Sequence, residues 1–183
     1  MRTSAHILAL LVGACIPMTA LAQPAPSPEL GQQKEAMEAV QFLVGEWKGS
    51  GWIDMGQGRS EFVASEVVES RLDGLALLVE GRHIVEPNGS PNPIVVHHAL
   101  AMLTYDPAAG MYRFNSQVAR GGTGMYEGSV EDGAFIWRME AGGGQVRYRI
   151  RLDEEGRWDE VGEYSADGAN WSPFFGMTLE KID

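Results

Sequence analysis

From Trp47 to the C-terminus apolar residues recur at every second position, and turn residues interrupt them every ten or so positions. Period two is the spacing of side chains on one face of a strand. Short strands between regular turns mark an all-β sandwich or barrel. The pattern delimits ten strands, over 46–54, 60–71, 75–85, 95–105, 111–118, 124–130, 134–140, 145–152, 158–164 and 173–181. Between them stand Asp73-Gly74, Asp106-Pro107, Asp132-Gly133, Glu155-Gly156 and Asp167-Gly168, all with turn chemistry. No helical period is long enough for a βαβ crossover, so the sheet reads as antiparallel.

The strands start where a helix cannot continue. In the segment 42–51 (Phe-Leu-Val-Gly-Glu-Trp-Lys-Gly-Ser-Gly), Gly45, Gly49 and Gly51 each cost a helix about 1 kcal/mol relative to alanine. Trp47 is a large apolar plug with one N–H to satisfy, suited to closing one end of a barrel. Before it, Ala36, Met37, Val40, Leu43 and Val44 recur at helical spacing, which predicts one short amphipathic helix from Lys34 to Val44 covering an open end of the sheet. About ten strands close into an up-and-down barrel wide enough for a small ligand, since eight already suffice.

The first residues read as an export signal: Arg2, an apolar core over 7–14, and the small-x-small site Ala20-Leu21-Ala22. This divides the chain into a signal peptide (1–22), a Pro-rich linker (23–33) and a barrel domain (34–183), and predicts a periplasmic or secreted protein. A competing reading takes 12–15 (Val-Gly-Ala-Cys) as a lipobox, with Cys15 lipidated. Cleavage near Ala22 removes Cys15, the one cysteine, and with it any disulfide, thiolate–zinc site or cysteine nucleophile. The apolar run is too short to span a bilayer, which takes about 20 residues. The formal net charge of -11 opposes phosphate backbones, so nucleic acid is a poor partner.

The phrases at 42–51, 69–75 (Glu-Ser-Arg-Leu-Asp-Gly-Leu), 103–107 (Leu-Thr-Tyr-Asp-Pro) and 174–179 (Phe-Phe-Gly-Met-Thr-Leu) together resemble a bacterial lipocalin-like family. It is known as domain of unknown function 1579 and is similar to the calycin barrels. The resemblance covers about residues 35–183. It implies a ten-stranded antiparallel barrel with an internal pocket, and no reaction. Gly45-Glu46-Trp47 matches the lipocalin Gly-x-Trp step, whose Trp packs at the closed end beneath a basic side chain from a late strand. Arg149 or Lys181 would supply that cation here. The related nitrobindins hold haem through a histidine near the C-terminal end, and 170–183 contains none, which disfavours haem.

The residues that carry chemistry are few. Outside the leader the histidines are His83, His97 and His98, and adjacent strand residues face opposite ways, so His97 and His98 cannot share a lumen. Two histidines with Glu80 or Glu69 would make a metal site, but no ligand spacing supports one. Glu69, Arg71, Glu80 and Arg82 read either as cross-strand ion pairs on the outer face or as an Arg–Glu pair orienting a ligand. Arg113, Arg138 and Arg147 invite the same two readings. Trp52, Trp137, Trp158 and Trp171, with Tyr112, Tyr126, Tyr148 and Tyr164, are mostly core, and a minority would line a pocket. The glycine run 121–124 lacks the strand-to-helix context of a nucleotide loop, and no Gly-x-Ser-x-Gly elbow occurs. These readings converge on a barrel binding a small hydrophobic or amphipathic molecule, with His83, His98, Arg138, Tyr148 and Trp137 as candidate contacts. An enzyme pairing a pocket histidine with a carboxylate, and a haem or gas carrier, are the alternatives.

Overall fold

The computed structural model describes residues 27–87 and 92–182. Ten strands follow in order: β1 (Gly45–Asp54), β2 (Arg59–Arg71), β3 (Ala76–Val85), β4 (Ile94–Asp106), β5 (Met111–Val118), β6 (Thr123–Glu131), β7 (Ala134–Ala141), β8 (Gly144–Leu152), β9 (Trp158–Ser165) and β10 (Ser172–Lys181). Each pairs antiparallel with its sequence neighbour, and β1 pairs with β10, closing the barrel. Every strand lies within one residue of its sequence-derived limits. The turns explain that agreement. Asp132 and Gly133 both take positive φ (50° and 75°), the geometry of a two-residue hairpin turn whose twist matches its strands.

The helix is displaced from its expected position. α1 spans Pro28–Glu38, and a 3-10 turn at Gln41–Leu43 follows it. Ser27 caps α1 through its side chain, and Pro28 occupies the first turn, where its missing N–H costs nothing. Residues 28–33, read from sequence as linker, are therefore helical. The expected signal peptide and Cys15 lie outside the described residues.

α1 and the 3-10 turn close one end of the barrel. Met37, Val40 and Leu43 are fully buried there with Trp47, Leu77, Leu103, Phe135 and Leu179. The Tyr112 hydroxyl donates to the Ala36 carbonyl at 2.5 Å, and Gln33 donates to Tyr105 O at 3.0 Å, tying the helix to β4 and β5. Trp47 packs edge-on against Trp158 (5.7 Å) and donates its Nε1–H to Leu43 O at 2.9 Å, so its one polar group is satisfied. Lys181 is the cation of this end. Its Nζ lies 5.3 Å from the Trp47 ring centre and donates to Val44 O at 2.8 Å. Arg149 does not reach Trp47. It alternates with the inward-facing Tyr148 and Ile150, which turns it onto the outer wall beside Arg147 and Arg151. Among the described residues no helix is long and apolar enough to cross a membrane.

Candidate binding lumen

Above the closed end the strands enclose a cavity of about 420 Å³. Its shape depends on glycine at inward positions. Each lets a neighbour lie flat on the wall where a Cβ would collide. Phe62 lies over Gly51, Tyr148 over Gly162, and Phe135 over Gly128, with hypothetical Cβ contacts of 2.5, 2.8 and 2.8 Å. The Glu66 carboxyl does the same over Gly81, its register partner across β2–β3. A second, shallower recess of about 600 Å³ runs along Ser50, Trp52, Asp159 and Thr178. It is more open than the lumen, carries the acidic Glu61, Glu86 and Asp159 on its walls, and shares Phe62, Glu160, Phe175 and Met177 with the lumen.

The walls are aromatic. Trp137 and Tyr148 stack face to face at 4.4 Å, and Phe114 and Tyr126 flank Trp137 at 5.4 and 4.9 Å. Opposite them in the series, Phe62 stacks on His83 (4.6 Å) and on Phe175 (5.6 Å), while Tyr148 meets Phe175 edge-on at 5.5 Å. Such rings bury large apolar area in fixed orientations and suit a flat guest.

Within this apolar shell sits a polar group of four. Glu66 Oε1 and His83 Nε2 are hydrogen-bonded at 3.3 Å, both buried. Glu160, also buried, accepts from Trp158 Nε1–H at 3.0 Å. His97 lies 4.9 Å from the His83 ring, nearer the open mouth. Burial pushes the Glu66 carboxyl up to about 8. Glu160 rises to about 8 through burial and then the charge of Glu66, the Trp158 N–H pulling the other way. Burial lowers His83 to about 4. His97 is lowered through burial, then His83 and His98, but its side chain is reached by water, so this depression is the weaker of the two. Near pH 7 Glu66 and His83 are thus a neutral hydrogen-bonded pair rather than an ion pair.

Of the residues expected to contact a ligand, His83, Trp137 and Tyr148 line this cavity. His98 and Arg138 do not. Each is adjacent in sequence to a lumen residue, His97 and Trp137, and the strand alternation turns it outward. His98 Nε2 pairs with Glu80 at 2.8 Å, and Arg138 with Glu131 at 2.8 Å and Ser129 at 3.0 Å. The outer wall holds the other arginine pairs too: Arg113–Glu127, Arg147–Glu163 and Arg151–Asp159. Glu69, Arg71, Glu80 and Arg82 are likewise exterior, but Glu69 pairs with Arg71 on its own strand and Glu80 with His98 on β4. The register sets Glu69 opposite Leu78 and Glu80 opposite Val67, which separates the expected cross-strand partners.

Glu66 and Glu160 were missed by sequence reasoning. A signal existed: Glu66 shares parity with Phe62, Ala64 and Val68, and Glu160 with Trp158. Among the described residues no group of three or more His, Cys, Asp or Glu is arranged to hold a metal ion. His83 directs its Nε2 to Glu66 and stacks its face on Phe62.

No family model matches the chain, and no curated protein matches it. Among solved structures, that of Rv2717c from M. tuberculosis is similar at 16% sequence identity with a TM-score of 0.59, over 81% of this chain and 98% of that one. At that identity the likeness is one of fold: two chains with few residues in common close the same kind of barrel.

Proposed function

We propose that this protein binds a small apolar or amphipathic molecule in its lumen and does not transform it. The observation that carries this reading is the 420 Å³ aromatic cavity with Glu66, His83, His97 and Glu160 among the polar side chains that line it. Ligand sites are concave, largely apolar and oriented by a few placed polar groups. A guest gains about 25 cal/mol for each Å² of apolar surface withdrawn from water. The lipocalin-like resemblance and the export-signal reading of 1–22 agree with a carrier released to the periplasm or medium, with cleavage near Ala22 rather than lipidation at Cys15. The test is native mass spectrometry of the protein from its own compartment, with Nile red titration of the stripped protein. A stoichiometric small molecule, displaced by Nile red, is the expected result. A protein that carries nothing and leaves Nile red dark refutes the reading.

One contact favours a second reading. The Glu66–His83 hydrogen bond places an acid beside an imidazole, the pairing that general acid–base catalysis uses. Under that reading a substrate screen finds turnover that His83→Ala abolishes, and turnover indifferent to His83 removes it.

A further inference from the structure

The charged and polar side chains facing the lumen come from seven strands: Glu66 on β2, His83 on β3, His97 on β4, Ser116 on β5, Tyr126 on β6, Tyr148 on β8 and Glu160 on β9. No lysine or arginine is among the lining residues. Glu66 and Glu160 are only 7% and 8% exposed. Each makes one side-chain hydrogen bond, to His83 and from Trp158. No fully buried side-chain nitrogen or oxygen among the described residues lacks a partner, so the second oxygen of each carboxyl is not sealed in protein, and both residues line the cavity. The two are close enough for the charge of one to act on the other. Buried carboxylates require a cation or several strong donors. The arginines that would serve are paired on the outer wall.

Given the binding role proposed above, we infer that the lumen selects a cationic ligand: a flat aromatic or amphipathic molecule with one protonated nitrogen set against Glu66 and Glu160, its body against Trp137, Tyr148 and Phe175. The raised carboxyls fit this. In the free protein near pH 7 they hold their protons, and an ammonium or ring N–H⁺ displaces one. The carboxyl O–H bond breaks, the proton leaves to solvent, and a carboxylate–cation contact replaces it. The lowered His83 and His97 stay neutral and do not compete for the anion, and burial keeps the Tyr148 hydroxyl neutral as well.

Three probes with one naphthalene body test the inference by calorimetry in two buffers of different ionisation enthalpy: 2-(2-naphthyl)ethylamine, 2-(2-naphthyl)ethanol and 2-naphthylacetate. The amine is expected to bind about tenfold or more tighter than the alcohol at pH 7, because hydrogen bonds to charged groups are the stronger ones. It should release a proton, and gain affinity as pH rises from 6 to 8. The Glu66→Gln/Glu160→Gln double variant should lose that preference, the amine then binding no tighter than the alcohol, and its near-ultraviolet circular dichroism should match the parent's, which shows that the barrel is intact. Equal binding of amine and alcohol, tightest binding of the naphthylacetate, or a preference that survives the double variant overturns the cationic inference and leaves the lumen a binding site. Binding of none of the three overturns both.

Discussion

Glu66 and Gly81 face one another across the β2–β3 pair, and a Cβ on Gly81 would lie 2.6 Å from Glu66 Oε1. The carboxyl occupies the space a side chain would take. Gly81→Ala therefore drives Glu66 off the wall and away from His83. We expect a loss of about 1–3 kcal/mol, the usual cost of overpacking a tight site, read from chemical denaturation. A Gly81→Ala protein as stable as the parent would mean that the carboxyl has a second resting place.

The buried acids make stability fall with rising pH. Folded Glu66 and Glu160 hold their protons up to about 8, whereas the unfolded chain releases them near 4.5. Between these values the folded state binds more protons, so each carboxyl removes up to about 1.4 kcal/mol per pH unit. The lowered histidines act oppositely, taking stability away as pH falls from 6.5 towards 4. Above 6.5 only the carboxyls contribute. Melting temperature should drop steadily from pH 6.5 to 8 and then level. The Glu66→Gln/Glu160→Gln variant should show a flat profile there, and a parent profile already flat would contradict the burial of these groups.

Trp137 and Arg138 offer a matched pair of neighbours, one inside and one outside. Trp137→Ala strips the lumen of the ring stacked on Tyr148 and should weaken Nile red binding about tenfold or more. Arg138→Ala removes an exposed pair with Glu131 and should change stability by less than about 1 kcal/mol, with Nile red affinity unaltered. Fluorescence titration of both variants decides it, and an equal effect from the two would place the binding surface elsewhere.

Trp47→Ala should cost about 3–5 kcal/mol in urea denaturation, because a fully buried ring and its bond to Leu43 O disappear together. Lys181→Met retains the packing of the stem and should cost about 1 kcal/mol or less. If Lys181→Met proved the more damaging, the cation rather than the indole would be closing the barrel end.

The strands were legible because alternation and turn residues are both local, and Asp132-Gly133 needs no tertiary context to form its turn. The lumen face was not legible on β4, where the usual cue inverts. Its outward side chains include the large apolar Leu100 and Met102, both exposed, while the inward ones include only Ala99 and Ala101 beside His97 and Leu103. A bigger hydrophobe outside than inside favours His98 over His97 as the lumen residue. Arg138 was misplaced for a different reason: the chemistry of a carboxylate clamp outweighed its parity with Trp137. At the N-terminus three prolines suggested a linker, although Ser27-Pro28 is also the start signal of a helix.

The closure of β1 on β10 has a consequence for how the chain reaches this state. Nine of the ten strand pairs join sequence neighbours and form by short hairpin closures. The tenth must bring together segments from the two ends of the domain, where Ile182 N–H meets Glu46 O and Lys181 meets Val44. Long loops pay their closure entropy before any contact rewards them, so this seam is expected to close last, and a stopped-flow trace in which β1–β10 contacts form no later than the hairpins would contradict that order. Until it shuts, β1 and β10 are two open edges able to recruit strands from other molecules. The last ten residues of the barrel thus cover both open edges of the sheet at once.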